Sequence, residues 1–201
     1  MAFSITGLRS FAWPDESQVS ASLQPYDLAL DELGAAIRSF TDDTDPGVNR
    51  YTEALAANLA KHLRAALKQP GLNPQIRRRD ARYSGDLEHN ADVVVWRANE
   101  QRGVFIEIEF RPNFEKDLVK FRIGHHSTRL DLGVLLVATD RRAIRGSYTT
   151  MPEFGKVCEV VRLFRPDHPL LVLGIECTTD GGHTITEHAH SGRRRYKYVE
   201  D

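Results

Sequence analysis

Leu55, Leu59, Leu63 and Leu67 recur every fourth residue, a spacing that keeps returning to one side of an α-helix. They predict a long helix over about residues 50–68, with Asn49 placed to cap it and Pro70-Gly71 ending the pattern. Ahead of it, the first half-hundred residues read as a loosely organised lead-in. They carry one short helix at 25–40 and a turn at 41–47 that is rich in Asp and contains Pro46-Gly47.

After about residue 74 the period changes to that of strands. Residues 75–82 suit an edge strand whose long cationic side chains would blunt the exposed edge, and 85–90 are polar and turn-like. Asp92-Val93-Val94-Val95-Trp96 and the run Val104–Phe110 are β-branched and aromatic; joined by a short polar connection (98–103), they predict a hairpin. Pro112-Asn113 breaks the second strand, and Asn113 suits the cap of a helix over 114–122. Residues 132–138 (LGVLLVA) and 169–175 (PLLVLGI) are continuous apolar runs, as expected of strands buried on both faces, and a helix over 152–163 lies between them. The residues after Cys177 form a polar tail rich in Gly, His and Arg, read as loose. Antiparallel strands followed by strand–helix–strand units imply an α/β fold, a central mixed sheet flanked by helices, in one domain spanning 1–201 with its core over about 50–176 and a flexible tail over 177–201.

Bulk properties narrow the class without naming it. The 201 residues are 41% hydrophobic and 27% charged, the balance of a globular chain with one core. No apolar run reaches membrane-span length, and the first residues lack signal-peptide architecture. Cys158 and Cys177 are too few and too far apart for a zinc or disulfide framework, so both are read as small buried hydrophobes and the cytoplasm as the expected compartment. A formal charge of −1 does not announce a nucleic-acid binder, yet arginines cluster at 77–79, 141–145 and 193–195.

Candidate chemistry lies in three carboxylates placed where burial should discourage them. Glu107 and Glu109, two apart on one strand, share a face with Phe105, while Val104, Ile106 and Ile108 point the other way. The hairpin would bring Asp92 alongside them. A strand with one wet face explains an isolated E-x-E equally well; the element order and the preceding Asp92 favour a cluster instead. Clustered carboxylates near a core need a cation, and hard oxygen donors suit Mg²⁺, with Mn²⁺ able to substitute.

Asp92 followed by Glu107-x-Glu109 resembles the PD-(D/E)XK nuclease superfamily, in the variant with Glu at the last position that occurs among BamHI- and BglII-like type II restriction endonucleases. The resemblance covers about residues 50–140. Ala91 stands where the motif has Pro, and no Lys follows Glu107 to orient the attacking water. It implies a restriction-endonuclease-like fold and a Mg²⁺-dependent DNA endonuclease that cuts a short site in double-stranded DNA as a homodimer. The alternatives are a non-sequence-specific repair or defence nuclease of the same fold, and an inactive DNA-binding module. Asp92 and Glu107 would be metal ligands, and Glu109 a ligand or general base. Glu53, the acid on the first core helix, is a further catalytic candidate although its phase leaves it off the leucine stripe; Glu88 is another.

The remaining residues carry weaker signals. Asn113, Lys116 and Lys120 follow the motif directly and could reach DNA phosphates. Arg141, Arg142 and Arg145, with the polar loop Ser147–Thr150, are a second candidate DNA contact. Adjacent His125 and His126 diverge by about 100° on a helix and are expected to cap its end or meet a phosphate rather than chelate an ion. His183, His188 and His190 belong to the solvated tail.

Overall fold

The computed structural model describes residues 3–39, 41–42, 48–66, 75–77, 83, 90–97, 102–109, 113–139, 144–145, 153–179, 184–190 and 193–199. Strand β1 (Phe3–Trp13) leads into helices α1 (Glu16–Leu23) and α2 (Leu30–Arg38), a two-residue strand β2 (Thr41–Asp42) and the long helix α3 (Val48–Ala66). Strands β3 (Gln75–Arg77), β4 (Val93–Trp96) and β5 (Gly103–Glu109) precede helix α4 (Glu115–His126) and strand β6 (Leu130–Ala138). The chain continues through β7 (Ile144–Arg145), α5 (Phe154–Phe164), β8 (Leu170–Thr179), β9 (Thr184–His190) and β10 (Arg193–Val199).

Seven strands form the main sheet in the order β2-β1-β8-β6-β5-β4-β3. The β5–β6 and β6–β8 pairs are parallel, with α4 and α5 in the crossovers, and the flanking pairs are antiparallel. The expected mixed sheet with helices on both faces is therefore present. On one face Leu55, Leu59 and Leu63 of α3 pack with Val104, Ile106 and Ile108 of β5 and with Leu33 and Ile37 of α2. Each of the three leucines is 1% exposed or less, and burying each contributes roughly 2 kcal/mol. On the other face Leu118 and Phe121 of α4 and Val157 and Val161 of α5 cover Phe105, Leu135, Val137 and Val172.

Four expectations are corrected. The lead-in contains β1, which pairs with β8 from Phe3↔Thr179 to Trp13↔Leu170. Its strand pattern is hidden because the register shifts between Ile5 and Gly7. Ile5 and Leu8, three apart, consequently face the same core, while Phe11 and Trp13 join the opposite one. Asn49 lies inside α3 rather than capping it, and the N-cap position of α4 is Phe114, not Asn113. The tail read as loose forms an antiparallel pair, β9–β10, running from Arg193↔His190 to Val199↔Thr184, with β9 parallel to β7. A strand with charged or polar residues at both parities has no apolar period to betray it. Arg141, Arg142, Glu88, His183 and Ser147–Thr150 lie outside the described residues.

Close approach of α4 to the sheet depends on Gly133 in β6. A Cβ there would lie 2.9 Å from Phe121 Cγ and 3.0 Å from Leu170 Cδ1. Gly133→Val is expected to destabilise the protein by about 1–3 kcal/mol in urea denaturation. An unchanged midpoint would mean that α4 can lift off the sheet at no cost.

Candidate active site at the carboxyl end of β5

The β4–β5 ladder ends at Val93↔Ile106, and Asp92 is the next residue outward. Its side chain takes over from the ladder: the Ile108 N–H donates to Asp92 Oδ2 at 2.8 Å. A buried backbone donor is satisfied in this way, and the carboxylate is fixed beside the strand that carries Glu107 and Glu109. The expected approach of Asp92 to the glutamate strand is thus present. Glu107 and Glu109 are not on a wet face, being only 4% and 6% exposed. They share the face of Phe105, which α4 covers.

What α4 lays over them is polar. Lys116 Nζ lies 2.5 Å from Glu109 Oε2, and Lys120 Nζ donates to Glu107 Oε2 at 3.1 Å. The two lysines are four residues apart and so project from one side of the helix. Lys120 Nζ also lies 2.8 Å from Asp117 Oδ1, and Asp117 is itself 1% exposed. From the other side the Tyr83 hydroxyl donates to Glu107 Oε1 at 2.7 Å. Tyr83 is held between Phe105 and Phe121, with ring centroids 4.8 and 6.0 Å away. Gly124 of α4 leaves room for that ring, since a Cβ there would come within 2.8 Å of Tyr83 Cδ1. Four carboxylates, those of Asp92, Glu107, Glu109 and Asp117, therefore meet two ammonium groups.

The electrostatics follow from burial and crowding. Burial first, then the charge of Asp117, pushes the Glu107 carboxyl up to about 8, against the pull of Lys120. Burial likewise raises Asp92, opposed by the Ile108 N–H, and raises Asp117, opposed by Lys120. Burial alone would lower Lys120, but Glu107 and Asp117 outweigh it and raise the ammonium to about 12. Lys120 is consequently a fixed cation at neutral pH and not a base.

Sequence reasoning missed Tyr83 and Asp117. Tyr83 stood between turn-like segments with no period around it. Asp117 did carry a signal: with Phe121 and Gly124 it holds positions i, i+4 and i+7 of the buried side of α4, a phase where a charge is out of place. The other candidates are dispersed. Asn113 is exposed ahead of α4, and Lys116 and Lys120 are drawn against the glutamates. Glu53 is half-buried on α3, the helix that packs on the opposite face of the sheet. Arg145 lies in β7. His126 Nε2 is 3.2 Å from Asp167 Oδ2 and the His125 ring lies 5.4 Å from that of His168, so the paired histidines both meet the adjacent Asp167 and His168. Cys158 is a buried free cysteine.

The model of the restriction endonuclease BglII/BglIII family matches residues 19–175, from α1 through most of β8 and including all four carboxylates. The chain belongs to that family. The resemblance read from Asp92 and Glu107-x-Glu109 is borne out, and the family is one of nucleases that act on DNA. Among solved structures the chain is similar to restriction endonuclease BglII complexed with a DNA 16-mer, at 8% identity over 97% of this chain and 88% of that one, with a TM-score of 0.43. It is also similar to free BglII, at 9% identity over 96% and 92% of the two chains, with a TM-score of 0.39. Likeness at those scores says nothing about ligand or specificity. None of the curated proteins matches the chain. Among the described residues no helix is long and apolar enough to cross a membrane.

Restriction endonucleases of this kind generally use a divalent metal, and the donor set can be tested for one. Among the described residues no three His, Cys, Asp or Glu side chains converge closely enough to hold an ion as they stand. The chemistry nevertheless fits: every donor is a hard carboxylate oxygen, and among the described residues the four acids outnumber the two ammonium groups that face them. As they stand, the acids are paired with Lys116, Lys120, Tyr83 and the Ile108 N–H.

Glu107 holds its proton more tightly in the fold than at its ordinary value of 4.5, so its contribution to stability is full below about pH 4.5 and is lost as pH rises through about 8. Denaturation in EDTA should show stability falling across that window, and Glu107→Gln should remove most of the slope. A slope unchanged in the variant would assign it to other groups.

Proposed function

We propose that this chain is a Mg²⁺-dependent type II restriction endonuclease that hydrolyses both strands of a short duplex site as a homodimer. The observation that carries the reading is the grouping of buried Glu107, Glu109 and Asp117 with half-buried Asp92 at the end of β5, in a chain of the BglII/BglIII restriction endonuclease family. The carboxyl ends of parallel strands are where sheets of this kind open to ligands, which leaves room for a phosphodiester beside the acids. Two strands of DNA need two such centres, and a symmetric pair of chains supplies them.

A bound divalent cation would screen the negative phosphate and lower the pKa of a water ligand. The chain's own residues do the rest. Asp92 and Glu107 hold the cation. Asp92 is kept in place by the Ile108 N–H, and Glu107 is oriented by the Tyr83 hydroxyl at Oε1. Glu109, at the open end of β5, is placed to ligate or to accept a proton from the attacking water. Lys116, 48% exposed at its side chain beside Glu109, can swing toward a phosphate without crossing the core. Arg141, Arg142 and Arg145 are assigned to DNA contact, as base-edge or phosphate donors.

Purified protein incubated with mixed plasmid DNA is expected to give discrete bands with Mg²⁺ and intact plasmid with EDTA. Asp92→Ala and Glu107→Ala should each lower the cleavage rate roughly a thousand-fold, about 4 kcal/mol of transition-state stabilisation, with unchanged circular dichroism. Undiminished cleavage by Asp92→Ala would sink the assignment, and a smear instead of bands would replace sequence-specific cutting with a non-specific nuclease.

A further inference from the structure

We propose that Lys120 is the built-in counter-ion of the acidic centre, that a divalent cation binds by displacing its ammonium group, and that Asp117 then joins as a fourth carboxylate. The inference rests on the metal-centre reading above and deepens it by naming the competitor and the extra acid.

Three observations carry it. Lys120 Nζ touches two carboxylates at once, Glu107 Oε2 at 3.1 Å and Asp117 Oδ1 at 2.8 Å, and its side chain is only 17% exposed. A long, flexible cationic side chain enclosed between two buried acids sits where a small hard cation would neutralise the same charges. Asp117 is 1% exposed and its Oδ1 meets the Lys120 ammonium at 2.8 Å, so displacing that ammonium leaves a buried carboxylate that needs a new cation. Glu107 is held by two different donors: Tyr83 secures Oε1 while Lys120 meets only Oε2, so Oε2 can change partner from ammonium to metal while the hydrogen bond at Oε1 remains. The lysine stem is unbranched and leaves α4 at its middle, one turn after Lys116, whose side chain is 48% exposed, so the route out for Nζ runs along the helix toward solvent. Once displaced, the ammonium stays within a side chain's length of the centre, where an incoming phosphate would meet it.

A competitor and a ligand have opposite signatures on removal. Lys120→Met takes the charge away while keeping the stem, and binding of Mn²⁺ or Ca²⁺, followed by titration calorimetry on the full chain without DNA, should tighten about ten-fold. Asp117→Asn should weaken the same binding about ten-fold. In the unaltered protein, saturating Ca²⁺ should raise acetylation of Lys120 by acetic anhydride several-fold, read by mass spectrometry, and this measurement holds even where Lys120→Met fails to fold. Unchanged or weaker ion binding by Lys120→Met, or Lys120 acetylation that Ca²⁺ leaves the same or lowers, overturns the displacement. Undiminished binding by Asp117→Asn overturns the fourth ligand. Absence of any divalent binding to the unaltered protein defeats the metal-centre reading itself, a result distinct from binding that is normal and indifferent to Lys120.

Discussion

The structure depends on a charge imbalance held in place at the end of one strand. Asp92, Glu107, Glu109 and Asp117 lie within or beside the apolar layer between the sheet and α4, where ionised carboxylates are costly unless paired. Among the described residues, two lysines from a single helix form ion pairs with these acids. The remaining acidity surfaces as carboxyls that hold their protons above the ordinary range. Crowded, buried acids of that kind mark candidate functional sites, which distinguishes them from a satisfied network of surface ion pairs.

Everything around the acids serves to hold that arrangement. The β5–β6–β8 strands are buried on both faces and rigid, so Glu107 and Glu109 project from a fixed platform. Helix α4 must lie close enough for Lys120 and Asp117 to reach it. That closeness comes from Gly133 beneath Phe121 and from Gly124 beside Tyr83. Tyr83 then couples the packing of α4 to the orientation of Glu107, because one ring contacts Phe105 and Phe121 while its hydroxyl holds Oε1. Core packing and site geometry are the same set of contacts seen from two sides.

Much of this could be read from the residues in order. The leucine stripe of α3, the β4–β5 hairpin and the two buried parallel strands announced themselves by period, and Glu107 and Glu109 were placed on one face by parity alone. β1 was illegible because a bulge shifts its phase between Ile5 and Gly7. β9 and β10 were illegible because neither parity is apolar. Asp117 was legible in principle, as a charge at a core phase of α4, but its meaning required knowing that α4 faces the glutamates.

The sequence by itself determined which side chains of each element turn inward, and with them the acidic character of the β5 end, because side-chain direction in a strand or helix follows from a local period. Only the tertiary structure decided what the acids meet. Whether Lys116 and Lys120 point at DNA or at Glu109 and Glu107 depends on how α4 crosses the sheet, a matter of the small residues beneath it and of a tyrosine from a distant segment. Contacts between elements far apart in the chain have no period to report them. For that reason the pairing of Lys116 and Lys120 with Glu109 and Glu107 could be found only from the way the helix packs above the strand.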